Sequence, residues 1–212
     1  MSAAAPRSMR SSGRGASERD RRRGTVSEIV LVRHGETEWS ASGQHTSRTD
    51  LALTERGRER AEALGANLAG RKFALVWCSP LRRARETCEL VGLGEQMAID
   101  EDLREWDYGE YEGLTTPQIR ERRPGWNLWR DGCPGGEAPE QVGARADRLL
   151  SRLRGAEGDC ALFAHGHILR VIGARWVNEP VAFGARLALS TGTLSTLGFE
   201  RETEVVREWN RG

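Results

Sequence analysis

Apolar residues along the chain follow two rhythms. Ile29–Val32, Leu75–Cys78 and Cys160–Ala164 are short unbroken apolar runs bounded by polar residues, which predicts buried strands. Between them apolar positions recur at helical spacing. Residues 54–69 place Ala61, Leu64, Gly65 and Leu68 on one stripe behind Thr54, a suitable N-cap. Residues 81–91 follow the Ser79-Pro80 stop as a helix, and 115–122 form a short one. Residues 139–154 align Val142, Ala146, Leu149, Leu150 and Leu153, and a last helix leaves the third strand and runs to about 177. Residues 97–104 read as a strand or extended piece before an aromatic loop, and 123–138 as a loop rich in Gly, Pro and Trp. Strand-like stretches close the chain at Leu187–Leu189, Leu194–Phe199 and Val205–Trp209. Strands alternating with helices predict an α/β fold with a mainly parallel sheet.

At 212 residues the chain has room for one domain and a tail. Residues 1–25 hold almost nothing large and apolar, so burial cannot offset their ordering entropy. They are expected to be a disordered basic tail, and 26–212 the folded domain. The segment is Arg- and Ser-rich as transit peptides are, but it lacks an amphipathic stripe and contains Glu18 and Asp20, which favours a solvated tail. It carries Arg7, Arg10, Arg14, Arg19, Arg21, Arg22 and Arg23, so within a net charge of +1 the body is mildly acidic. That balance speaks against a nucleic-acid binder. No apolar run approaches the roughly 20 residues of a membrane-spanning helix, so no membrane partner is expected. Cys78, Cys88, Cys133 and Cys160 show no Cys-x-x-Cys spacing, and no secretory segment is visible; free thiols in a reducing cytoplasm are expected.

Two predicted strands end alike, in Arg33-His34-Gly35 and in His165-Gly166-His167. In such sheets ligands sit beyond the carboxyl ends of the strands, which puts both histidines at one rim. Each following glycine is expected to let the backbone approach a ligand. His165 and His167 have the spacing of a metal pair, yet no further Cys or His stands at zinc-like spacing. Neither a metal nor a cofactor is expected.

Leu31-Val-Arg-His-Gly-Glu-Thr-Glu-Trp39 resembles the signature of the histidine phosphatase, or phosphoglycerate-mutase-like, superfamily. Ser79-Pro-Leu-Arg-Arg-Ala-Arg-Glu-Thr87 is similar to its second arginine motif, and Asp102-Leu-Arg-Glu-Trp-Asp-Tyr-Gly-Glu-Tyr-Glu-Gly113 to its acid loop. Phe163-Ala-His-Gly-His167 is similar to its second histidine segment. The four occur in the superfamily's order. The resemblance implies a three-layer α/β/α sandwich and a phosphomonoester hydrolase working through a phosphohistidine. Thr37–Gln44, Trp106–Gly113 and Trp126–Cys133 look especially like fungal sedoheptulose-1,7-bisphosphatases and mycobacterial acid phosphatases. The implied partner is a small phosphorylated metabolite or sugar phosphate, with a second copy of the chain as the protein partner to consider.

A phosphate monoester is a dianion with a poor alkoxide leaving group, so its cleavage asks for a nucleophile, charge stabilisation and a proton. A neutral imidazole is a good nucleophile near neutral pH, and His34 is the expected one. Arg33 and His34 would point to opposite faces of a regular strand, so the strand is expected to break at Arg33 to bring both to one phosphate. The motif match makes Arg83, rather than Arg82 or Arg85, the second clamp, since arginine's planar fork contacts two oxygens at once. It places His165 on the third edge of the phosphoryl group. It assigns Glu105 to protonate the leaving group and later to deprotonate water. Trp106 and Tyr108 are expected to desolvate Glu105 and raise its pKa.

Ser40, Thr46, Ser47, Tyr108, Gly166 and His167 are the expected substrate contacts; the family often has Asn where Ser40 stands and Gly where Ser47 stands. Arg82, Arg85 and Arg104 read as solvated or ion-paired residues, His45 as a loop histidine, and Trp126, Trp129, Trp176 and Trp209 as packing. Glu137 is expected to cap the helix near 139 or to position the arginines. Two rival functions stand beside the hydrolase: a cofactor-dependent phosphoglycerate mutase, and a non-catalytic phosphate-binding module on the same fold. The connection from Glu105 to His165 lacks the long insertion of the mutases, and every catalytic position is filled, which favours the hydrolase.

Overall fold

The computed structural model describes residues 27–212, so the tail expected over 1–25 lies outside the described residues. The strands are β1 (Ile29–Arg33), β2 (Leu75–Cys78), β3 (Met97–Ile99), β4 (Cys160–Ala164), β5 (Thr193–Glu200) and β6 (Thr203–Arg211). The helices are α1 (Glu38–Ser42), α2 (Glu55–Leu68), α3 (Arg82–Leu90), α4 (Thr116–Arg122), α5 (Leu128–Asp131), α6 (Pro139–Leu153) and α7 (Gly166–Trp176). All six strands join one sheet in the order β3-β2-β4-β1-β5-β6. The first four are parallel; β5 and β6 extend the sheet antiparallel beyond β1.

Successive side chains of a strand face opposite sides, and here both sides are covered. Ile29 and Leu31 of β1, with Leu162 and Ala164 of β4, pack with Leu149 and Leu150 of α6 and Ile168 and Ile172 of α7. Val30 and Val32, with Ala161 and Phe163, pack with Leu64 and Leu68 of α2 and Ala84 and Cys88 of α3. The central runs are therefore apolar throughout, and the three-layer sandwich follows.

Register places the site. Arg33 lies opposite Ala164. The His34 N–H donates to the Ala164 carbonyl at 3.0 Å, and the Ser79 N–H to the Phe163 carbonyl at 2.9 Å. Neighbouring β2, β4 and β1 thus end level and deliver Ser79, His165 and His34 to one rim.

Local details depart from the periodicity reading. β1 runs through Arg33, paired with Ala164 and Thr193, and ends after it rather than breaking at it. The segment after His34 contains α1, closed by a capping box in which the Thr37 N–H donates to Ser40 Oγ at 2.8 Å. α5 interrupts the 123–138 loop, with Asn127 as its cap. β3 ends at Ile99, and a 3-10 turn follows at Glu101–Leu103. Residues 187–189 form no strand, because side chains take their carbonyls: Arg33 donates to Leu189 and the Trp209 indole to Ala188.

Candidate active site

His34 is buried, with Nδ1 2.7 Å from the Gly35 carbonyl. A carbonyl can only accept, so Nδ1 carries the proton and Nε2 keeps its lone pair. Burial first, then the charges of Arg83 and Arg33, hold His34 well below the usual imidazole range, so the ring is neutral. Its centroid lies 5.1 Å from that of His165. His165 accepts from Arg83 Nε at 3.1 Å through Nδ1 and donates from Nε2 to Ser79 Oγ at 2.7 Å. That pattern defines a second neutral imidazole, which burial and the Arg83 charge also favour.

The two glycines also allow close packing around the rim. A Cβ on Gly35 would sit 2.3 Å from the Gly57 carbonyl oxygen, so this glycine lets the rim pack onto α2. A Cβ on Gly166 would lie 3.1 Å from Arg33 Cζ, so this one makes room for the guanidinium. Arg33 Nε is buried without a hydrogen-bond partner among the described residues.

A cavity of about 170 Å³ opens at this rim. Arg33, His34 and Glu105 line it, together with Ser40, Thr46, Tyr108, Gly166 and His167. Arg83 and His165 form the layer beneath. The Arg83 fork donates to the carbonyls of Thr49 at 3.0 Å, Thr46 at 3.2 Å and Ser47 at 3.3 Å, so it carries the 46–49 loop rather than facing the cavity. Ser47 does not line the cavity either. Its hydroxyl donates to Glu112 at 2.5 Å, its N–H donates to the same carboxylate, and its oxygen accepts from the Tyr108 N–H. That serine ties two loops together. Ser40 reaches the cavity while its hydroxyl serves the α1 cap.

His45 and Arg170 also line the cavity, beyond what sequence reasoning assigned. The His45 ring lies tilted against Tyr108 with centroids 4.6 Å apart, and its pKa is lowered by burial, then by His167, to about 4. Arg170 stacks on Trp129 at 4.6 Å and donates to the carbonyls of Gly184 and Ala185. A signal for Arg170 existed: it stands one helical turn beyond His167, on the same face of α7.

Glu105 is buried, and its carboxylate accepts N–H groups from Ile168 at 2.9 Å, His167 at 3.0 Å and Trp106 at 2.9 Å. Two of these belong to the first turn of α7, where unpaired N–H groups and the helix dipole favour an anion. Burial pushes the pKa up, as the aromatic neighbours suggest, but hydrogen bonding, foremost from His167, outweighs it; the group is held well below the usual carboxylate range. The expected upward shift is thereby corrected: the carboxylate oxygens accept N–H groups at the helix end, which favours the ion. The Tyr108 hydroxyl lies 2.6 Å from His167 Nδ1, and burial keeps that tyrosine protonated.

Arg82 and Arg104 are exposed and pair with Glu86 and Glu101, and Arg85 is exposed. Trp126 and Trp176 are buried in packing, and Trp129 meets Trp106 edge-on. Trp209 packs against Gly173. Glu137 does not cap α6, whose N-cap is Ala138 with Gln141 reaching back to it; Glu137 pairs with Arg145 instead.

The family model described as "Histidine phosphatase superfamily (branch 1)" matches residues 29–212. The chain belongs to the histidine phosphatase superfamily. An acid phosphatase of Mycobacterium tuberculosis is 44% identical over 81% of this chain and 86% of its own. A sedoheptulose 1,7-bisphosphatase of Saccharomyces cerevisiae is 38% identical over 69% of this chain and 66% of its own. A solved structure of an open reading frame product from Mycobacterium tuberculosis superposes with a TM-score of 0.81 at 41% identity, covering 87% of this chain and 97% of that one. A 2,3-bisphosphoglycerate-dependent phosphoglycerate mutase of Mesorhizobium japonicum is 36% identical over 68% of this chain and 78% of its own. Within the superfamily the protein is a phosphoric monoester hydrolase.

Proposed function

We propose that this histidine phosphatase hydrolyses a small sugar or metabolite phosphate through a phosphohistidine formed on His34. The observation that carries the reading is one cavity holding both Glu105 and a neutral His34 protonated on Nδ1. His34 Nε2 attacks phosphorus, the ester P–O bond breaks, and the leaving oxygen takes a proton through Glu105. Water then attacks phosphorus, Glu105 takes its proton, and the P–N bond breaks to release phosphate. Because hydrogen bonds from the His167 side chain and backbone hold Glu105 ionised, the first proton enters with the substrate as the phosphate monoanion.

Arg33, with its unpartnered buried Nε, is the direct phosphoryl clamp. Arg83 acts from beneath through its charge and through the loop it holds, and His165 keeps Arg83 and Ser79 in register with it. Ser40, Thr46, Tyr108, Gly166, His167, His45 and Arg170 face the rest of the substrate. Arg170 donates to carbonyls and pairs with no carboxylate among the described residues, which suits a hydroxyl-rich or anionic far end. A cytoplasmic setting is supported by four free, buried cysteines; no helix among the described residues is long and apolar enough to cross a membrane. Association into a homo-oligomer is included in the proposal and is checked by light scattering.

Wild-type protein is expected to hydrolyse p-nitrophenyl phosphate and, on rapid quenching, to yield an acid-labile phosphoenzyme. His34→Ala should show neither, with a loss on the order of 10⁴-fold or more. Undiminished turnover by that variant would overturn the reading. The mutase alternative, favoured by the Mesorhizobium relative, is tested with 3-phosphoglycerate and added 2,3-bisphosphoglycerate; hydrolysis without interconversion is the expected result.

A further inference from the structure

We propose that Arg145, paired with Glu137, is the positioning residue that aims the Glu105 carboxyl at the substrate's leaving group. The inference rests on the proton-transfer role of Glu105 given above. The segment carrying Glu105 has only single 3-10 turns at Glu101–Leu103 and Gly109–Tyr111. Its backbone therefore needs partners from elsewhere.

Arg145 supplies them. It lies on α6, 8% exposed, and a guanidinium offers five N–H donors. Nη1 donates to the Asp102 carbonyl at 2.7 Å and the Arg104 carbonyl at 2.6 Å. Nη2 donates to the Glu105 carbonyl at 3.4 Å and to Glu137 Oε2 at 2.8 Å. Nε donates to Glu137 Oε1 at 3.1 Å. All five donors are engaged. Glu137 completes the bracket: its carboxylate accepts the Asp107 N–H at 2.9 Å, and its carbonyl accepts the Trp106 indole at 2.9 Å.

Two glycines permit this approach. A Cβ on Gly136 would sit 2.2 Å from the Asp107 carbonyl oxygen, and one on Gly109, at φ +52°, would sit 2.2 Å from that of Pro134. The backbone is thus gripped at residues 102, 104, 105 and 107 from one side, while the first turn of α7 takes the carboxylate from the other.

Lysine keeps the charge but has no fork, so it cannot serve three carbonyls and a carboxylate at once. A neighbouring cavity of about 420 Å³, lined by Arg145, Glu137 and Glu105 among others, gives the shorter side chain space without a clash. The test compares kcat/KM for two esters. p-Nitrophenolate leaves as a stable anion and needs little protonation, whereas glycerol phosphate expels an alkoxide that needs a proton. Arg145→Lys is expected to lose about tenfold or more on glycerol phosphate, part of the 10²–10⁴ that general acid–base catalysis supplies, and to stay within about threefold on p-nitrophenyl phosphate. Inhibition by inorganic phosphate should not change, since the His34 rim is untouched. Glu137→Gln should show the same selectivity, which guards against misfolding of the lysine variant. In a Glu105→Gln background, Arg145→Lys should add no further penalty on the alkyl ester.

Equal losses on both esters, or none, would overturn the inference and leave Arg145 a general stabiliser. If Glu105→Gln discriminates between the esters and Arg145→Lys does not, the positioning role alone fails. If Glu105→Gln itself does not discriminate, the proton-transfer role fails and this inference with it.

Discussion

The phosphoryl end of the cavity and its far wall are built by different means. At the phosphoryl end, Ser79, His165 and His34 each follow a strand, and ladder hydrogen bonds between neighbouring strands set their spacing. The far wall collects His45 from a loop, Tyr108 from the acid loop, and His167 and Arg170 from α7. Those side chains hold one another by packing, as where His45 tilts against Tyr108 and Arg170 lies over Trp129. The contrast teaches where generality and selectivity reside. Backbone ladders are insensitive to the substrate's identity, so changes at the first end should affect every phosphomonoester alike. Packed side chains meet the part of the substrate that varies, so changes at the wall should discriminate.

After the loss of the His34 nucleophile itself, the largest expected effect belongs to Arg33→Met, which should lower kcat/KM by roughly 10²–10³ for aryl and sugar phosphates equally, the scale seen when a preorganised charge donor is removed. A loss confined to sugar phosphates would erase the division. Arg170→Met should cost a sugar phosphate about 10- to 100-fold, as for one charge-assisted hydrogen bond, and leave p-nitrophenyl phosphate nearly unchanged. Equal losses would move Arg170 to the phosphoryl end.

pH separates fold from chemistry. His34, His45, His165 and His167 all have pKa values below the ordinary imidazole value in the fold, so unfolding takes up protons below about pH 6.5. Stability is therefore present near neutrality and falls as pH drops, by up to about 1.4 kcal/mol per unit for each histidine. Glu105, whose pKa is also lowered, adds a loss of the same sign in more acidic solution. Urea midpoints that stay level from pH 7.5 to 5 would contradict the neutral assignments. Activity should run the other way. If the substrate brings the proton, kcat/KM declines as pH rises through the second ionisation of the phosphate, near 6, and the decline moves with that ionisation across substrates. A decline fixed at one pH for all substrates would assign the proton to the protein.

The smallest effect is expected from Ser47→Ala. It should cost about 1–2 kcal/mol of stability in urea titrations, as the Glu112 contact is lost, with kcat/KM within about twofold. A larger kinetic loss would return Ser47 to the substrate.

Much of this molecule could be read from its residue pattern. The central strands and helices α2, α3, α6 and α7 stand where apolar periodicity puts them, because burial on one or both faces leaves that rhythm in the chain. The short α1 and α5 escaped it, being held by capping side chains rather than by an apolar stripe. Arg145 left a trace that went unused. It stands three residues after Val142 and four before Leu149, a charge on the buried stripe of α6, where an arginine needs partners.

The resemblance of four short motifs was enough to nominate Arg33, His34, Arg83, Glu105 and His165, since each sits in a motif whose neighbours are sequential. It could not say that Arg83 spends its fork on loop carbonyls, that Ser47 ties loops, or that Glu105 stays ionised on the end of α7. Those facts depend on groups that meet only after folding. A carboxylate's charge, a guanidinium's partners and a glycine's purpose are set by what lies within about 3 Å of them, and that distance is a property of the fold.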